Sequence, residues 1–210
     1  LITTFGDMLR VPGSSKSLEQ SRAEGGAVKM VYSPQDALKL AEENPDLKVV
    51  FLAVGFETTS PAIARTLEEA EEQDIRNFYL LVGHKLIPPA MKALVEDERI
   101  GINGFICPAH VSTIIGLEPY RFLAKDYNIP CVVAGFELLD ILQGILMLVE
   151  MIVSGKADVK SQYRRVASDA GNKKAQELLA KIFEPADSEW RGLGVIPKSG
   201  YKLKEKYSHR

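Results

Sequence analysis

Seven side chains in this sequence are placed where they could do chemistry: Asp7, Glu57, Thr58, Thr59, His110, Ser112 and Glu137. Each follows closely on a run that reads as a β-strand. Carboxylates and an imidazole so placed act as acids and bases, and hydroxyls act as hydrogen-bond donors. In open α/β sheets, ligands sit beyond the carboxyl ends of the strands. The stretch Leu47–Pro61 shows the pattern most fully: an apolar run, Val49–Val54, a break at Gly55, then Thr58, Thr59 and Ser60 before Pro61. Ser60 is expected to cap the helix that follows, with Pro61 at its first position. Val54-Gly-Phe-Glu57 recurs as Ala134-Gly-Phe-Glu137. Both copies stand after a strand and before a helix, so the two glutamates would face one crevice.

Each of these residues also has a plainer reading. Asp7 would pair with Arg10, His110 would bond to backbone at a helix entry, and Ser112 would be a local cap. His84, in Gly83-His-Lys, reads as an exposed loop residue, and Trp190 as an anchor for the C-terminal segment. Cys107 reads as a small buried hydrophobe. Other chemistries are unsupported. There is no glycine-rich phosphate loop, no nucleophile elbow and no zinc-ligand spacing, and no metal ligand is assigned.

The elements that must position these residues alternate. Strands are expected near 1–4, 27–32, 49–54, 77–82, 104–107 and 129–134, and helices over 18–24, 35–43, 62–73, 90–98, 119–127 and 138–153. That alternation implies an α/β fold with one parallel sheet or two. Residues 159–170 and 173–183 read as charged helices, and 201–206 as an edge strand. The segment 138–153 is interrupted by Asp140, Gln143 and Glu150; it is too short to span a bilayer and reads as a buried helix.

With 210 residues, 46% apolar and 26% charged, and a net charge of −2, the composition is that of a globular protein without a basic field for nucleic acid or a membrane surface. Cys107 would end one strand and Cys131 begin another, placing them at opposite sheet edges, beyond disulfide reach. With no secretory leader in view, a reducing cytoplasm is expected. The chain starts at Leu1 on what reads as a strand already under way, so a piece of a longer protein is expected.

Together, Thr4-Phe-Gly-Asp-Met-Leu-Arg-Val-Pro-Gly-Ser14, Gly55-Phe-Glu-Thr-Thr59, Pro108-Ala-His-Val-Ser112, Gly135-Phe-Glu137 and Trp190-Arg-Gly-Leu-Gly194 resemble, in order and along the whole chain, the HypD family of [NiFe]-hydrogenase maturation factors. The resemblance implies two Rossmann-like lobes with mainly parallel sheets facing a cleft, plus a helical C-terminal segment. Residues 1–54 would belong to the first lobe, 55–153 to the second, and 154–210 would return to the first.

It also implies a scaffold on which iron receives two cyanides and a carbon monoxide, working with a HypC-like chaperone and a HypE-like cyanide donor. The hydrogenase large subunit receives the product. Asp7 and His110 would act in the cleft, with Glu57, Thr58, Thr59, Ser112 and Glu137 around the bound group. The family's Cys-Gly-Thr-His and Cys-Pro-Val-Cys motifs would lie upstream of Leu1, and the cysteines of its [4Fe-4S] cluster downstream of Arg210. Leu138 departs from the proline common after Gly-Phe-Glu. The reading from a different class is an α/β oxidoreductase or transferase using Glu57 and His110 as acid and base.

Overall fold

Short-range chemistry sets the boundaries of several elements. The structure, a computed structural model, describes residues 1–210. Ser33 accepts from the Asp36 N–H while Asp36 accepts from the Ser33 N–H, a capping box that starts α2 (Pro34–Glu43) with proline in its first turn. Ser17 and Gln20 do the same for α1 (Leu18–Ala23). The β-branched run becomes β3 (Val49–Gly55), with Val49, Phe51 and Ala53 fully buried.

The fold is α/β with mainly parallel sheets. In the first, β2 (Val28–Met30), β1 (Ile2–Thr4), β3 and β4 (Phe78–His84) lie parallel in that order. The second comprises β5 (Phe105–Pro108), β6 (Cys131–Ala134) and β7 (Val159–Ser161). An antiparallel hairpin, β8 (Phe183–Trp190) and β9 (Gly194–Leu203), follows.

Gly55 therefore does not open a second sheet. Strands β3 and β4 pair along their full length, from Val49 opposite Phe78 to Gly55 opposite His84. The chain crosses over instead through α4 (Ile87–Val95), whose Met91 sits in the second core with Leu117, Tyr120 and, from α6 (Arg121–Tyr127), Leu123. A βαβ crossover is spelled alike whether it stays in one sheet or leaves it, which is why the sequence pattern misplaced this junction.

Three further expectations change. Residues 159–170 supply β7 and a turn rather than a helix, because Val159 and Ser161 pair with Cys131 and Val133. The C-terminal segment is only partly helical: α8 (Lys173–Ile182) is followed by the hairpin. Leu179, Ile182, Phe183 and Tyr207 join the first core, and the Arg210 carbonyl accepts the Leu80 N–H at 3.1 Å. The apolar helix α7 (Leu138–Ser154) is not buried; only Asp140, Gly144 and Met151 are. No helix is long and apolar enough to cross a membrane.

Candidate functional site

The turn after β3 is built on Gly55. Its φ is +121°, and a Cβ there would lie 2.4 Å from Thr59 Oγ1, so only glycine fits. The hydroxyls then act differently from expectation. Thr59 Oγ1 lies 3.2 Å from the Val54 carbonyl and 3.1 Å from that of Phe56, donating back toward the strand, and Ser60 Oγ donates to the Phe56 carbonyl at 3.2 Å. The helix α3 (Ser60–Glu72) starts with Thr59 at its cap position and no side chain capping it. Pro61 offers no N–H and Ser60 is fully buried, so the positive end of the helix dipole presents few free donors here. Thr58 stands exposed beside it.

Glu57 turns inward. It is only 2% exposed, and Oε1 accepts the Ile87 N–H at 2.9 Å, at the start of α4. Pro88 and Pro89 offer no N–H, so this one bond carries most of what α4 needs there. Oε2 has no partner. Burial raises the Glu57 carboxyl to about 7, against the pull of its own and the Ile87 N–H groups.

His84 lies opposite Gly55 on β4 and is 1% exposed, not an exposed loop residue; pairing with β3 draws it inside. Neither ring nitrogen has a partner, its ring meets Phe183 and Tyr201 edge-on, and burial lowers it to about 4, so it is neutral near pH 7. The Tyr201 hydroxyl is raised to about 12 by burial and by the Glu57 charge. Outside this interior, Lys85 Nζ holds the Glu189 carbonyl at 2.6 Å, and Trp190 lies 6.2 Å from Phe56 and donates to Ser199 Oγ at 2.8 Å. The hairpin is thereby fastened to the β3–α3 turn.

The second sheet presents its own carboxyl edge. Helix α5 (Ala109–Ile115) begins directly after β5 and places His110 in solvent, with its ring 4.8 Å from Phe136. Ser112 is fully buried and donates to the Pro108 carbonyl at 2.9 Å, with Tyr120 Oη at 3.2 Å.

Glu137 occupies the cap position of α7 without capping it, and lies 3.6 Å from Arg165. Arg165 instead grips Asp140 with both arms, at 2.9 and 2.6 Å, over the Tyr163 ring; Gln162 adds a third bond to Asp140. The guanidinium and Gln162 hold the Asp140 carboxyl below its usual range. This cluster was missed in the sequence because its parts lie 22 to 25 residues apart.

Asp7 sits in an exposed 3-10 turn, Gly6–Arg10, where it accepts the Met8 N–H at 2.9 Å. It does not pair with Arg10, which approaches Glu19 at 3.7 Å. Of the seven expected residues, Asp7, Thr58, His110 and Glu137 are exposed, Thr59 is half-buried, and Glu57 and Ser112 are buried. Glu57 is buried against the start of α4 while His110 stands in solvent beside Phe136, and no hydrogen bond or ring contact joins the two. The open surface depressions around Pro88, Asp46, Met30, Pro12 and Gln35 are lined by none of the seven.

No three His, Cys, Asp or Glu side chains gather closely enough to hold a metal ion. Cys107 and Cys131 are not at opposite edges. The strands are so short that Phe105 pairs with Cys131 and Cys107 with Val133, which puts both thiols on one sheet face. Both are buried and free, and the neighbouring Cys131 thiol together with burial holds Cys107 well above its usual range. A [4Fe-4S] cluster needs four thiolates; two buried thiols do not fit it.

The chain matches, over residues 1–210, the family model described as "HypD: Hydrogenase formation hypA family". The chain belongs to the HypD family. It is 50% identical over 208 residues to the hydrogenase maturation factor HypD of Escherichia coli (strain K12), covering 99% of this chain and 56% of that protein. To HypD of Azotobacter vinelandii it is 47% identical over 215 residues, covering 99% and 57%. To a putative hydrogenase expression/formation protein of Methanocaldococcus jannaschii it is 45% identical over 207 residues, covering 99% and 58%. This HypD-family chain thus spans a little over half the length of the relatives it matches.

Proposed function

We propose that this chain forms part of a scaffold for hydrogenase maturation, on which an iron carrying two cyanides and one carbon monoxide is assembled with HypC-like and HypE-like partners before passing to the hydrogenase large subunit. Membership of the family along the whole chain is the observation that carries this reading. The iron group is cargo here, and its thiolate ligands, like the family's [4Fe-4S] cluster, are assigned to parts of HypD proteins other than this chain, since its own cysteines are buried. Two free cysteines suit a reducing compartment, and we place the work in the cytoplasm.

Iron-bound cyanide is a hydrogen-bond acceptor through nitrogen. Exposed donors at the sheet edges suit it: the His110 ring and the Thr58 hydroxyl. Asp7, exposed and with one oxygen free of its turn, takes or relays a proton or orients a donor. Glu57 and Ser112 act from inside, holding α4 and α5 in place.

The test uses complete E. coli HypD with its matched stretch replaced by this chain, expressed in a strain lacking its own HypD. Asp7→Ala and His110→Ala are each expected to reduce hydrogenase activity at least about tenfold, the scale of lost contacts around a metal group, with the protein still folded. They should also weaken the cyanide and carbonyl infrared bands of the complex purified with HypC. Full activity in both variants would overturn the assignment.

A further inference from the structure

Helix α7 is mounted with its apolar face outward. Its buried positions, Asp140, Gly144 and Met151, form one narrow stripe. Gly144 lets the backbone close on the sheet, since a Cβ there would meet that of Ala134 at 2.8 Å. Diametrically opposite at helical spacing run Leu138, Leu142, Ile145, Leu146, Val149 and Val153, all exposed, from 42% at Ile145 to 82% at Val153. Over 17 residues this is a continuous apolar ridge about 25 Å long, far beyond the scattered apolar residues of an ordinary surface.

The sheet beneath is equally unfinished. Parallel sheets are normally covered on both faces. Here one face of β5–β6–β7 packs on Met91, Leu117, Tyr120 and Leu123, while the other has α7 alone, and Ile106 on β5 remains 46% exposed beside it.

We infer that this ridge is the packing surface for an amphipathic helix from the part of HypD polypeptides outside the stretch that this chain matches. The match covers only 56–58% of the relatives' length, so ample polypeptide exists in them to supply it. A polar partner is excluded by the ridge itself, which offers no charged group along its centre. The inference rests on family membership and the bare ridge, not on the iron-assembly reading.

The test compares the 210-residue chain with the full-length E. coli HypD chimera described above. Leu142→Glu with Leu146→Glu should leave the Tm of the short chain within about 2 °C, because both positions already face water, and should lower that of the chimera by about 5–10 °C. Equal tolerance in both proteins overturns the inference. So does a short chain that sediments as a dimer and becomes monomeric with the double substitution, which would assign the ridge to a second copy. Should the substituted chimera not fold, a photo-crosslinking residue at position 146 decides: crosslinks within one polypeptide to residues outside the matched stretch support the inference. Crosslinks to another polypeptide, or none, overturn it.

Discussion

The two Gly-Phe-Glu turns start from the same three residues after a parallel strand and before a helix, and end differently. In the first, glycine adopts φ +121° and the glutamate folds under the turn to hold the Ile87 N–H. In the second, glycine is required by crowding: a Cβ would lie 2.0 Å from Asp140 Oδ2 and 2.7 Å from the Tyr163 ring. There the glutamate stays outside, its side chain 80% exposed, and Asp140 takes the interior place. Both phenylalanines are exposed, one near Trp190 and the other near His110. A shared motif thus fixes the turn and the outward aromatic. What packs under the turn decides the carboxylate's task.

The largest expected effects come from the glycines. Gly55→Ala and Gly135→Ala should each cost about 3 kcal/mol or more in urea unfolding, through overpacking and, at Gly55, backbone strain. Thr59→Ala should rescue Gly55→Ala only in part, because removing the hydroxyl leaves the positive φ, worth about 1–2 kcal/mol. Complete rescue would make the first turn as purely steric as the second.

Next come the buried titrating groups of the first turn, which have no counterpart in the second. Glu57 moves from 4.5 to about 7 on folding, so its stabilising contribution is full below pH 4.5 and is lost as pH rises toward 7, a change of about 3 kcal/mol. His84 moves from 6.5 to about 4, so its contribution is present above pH 6.5 and lost as pH falls through 4, by a similar amount. Between pH 4.5 and 6.5 the two oppose each other. In Glu57→Gln, stability should rise with pH across that window; in His84→Leu it should fall toward pH 7. Parallel pH profiles in the two variants would refute this pairing.

Smaller effects belong to the second turn. Asp140→Asn should lower Tm by breaking the bidentate grip of Arg165 beside Gly135. Glu137→Gln should shift Tm by less than about 2 °C, since its contact with Arg165 is exposed. A larger loss for Glu137 than for Asp140 would reverse the roles assigned to them.

Much of this was legible from local patterns. The run Val49–Val54, the Ser33-Pro34 helix start and the placement of Asp7, Thr58, His110 and Glu137 near strand ends all follow from short-range rules. His84 was not legible: Gly83 before it resembles a loop, and only pairing with Gly55 carries it inside. The two cysteines looked far apart because strand lengths were unknown; four-residue strands bring them onto one face.

By itself the sequence determined the α/β alternation, the turn glycines, the helix starts and the family, because caps, breaks and motif order are properties of neighbouring residues. Only the tertiary structure decided that β3 and β4 share a sheet, that Glu57 holds α4 while Glu137 faces water, and that α7 turns its leucines outward. Those outcomes depend on which surfaces meet. The same Gly-Phe-Glu spelling, or the same apolar helix, satisfies more than one such meeting, and packing selects among them.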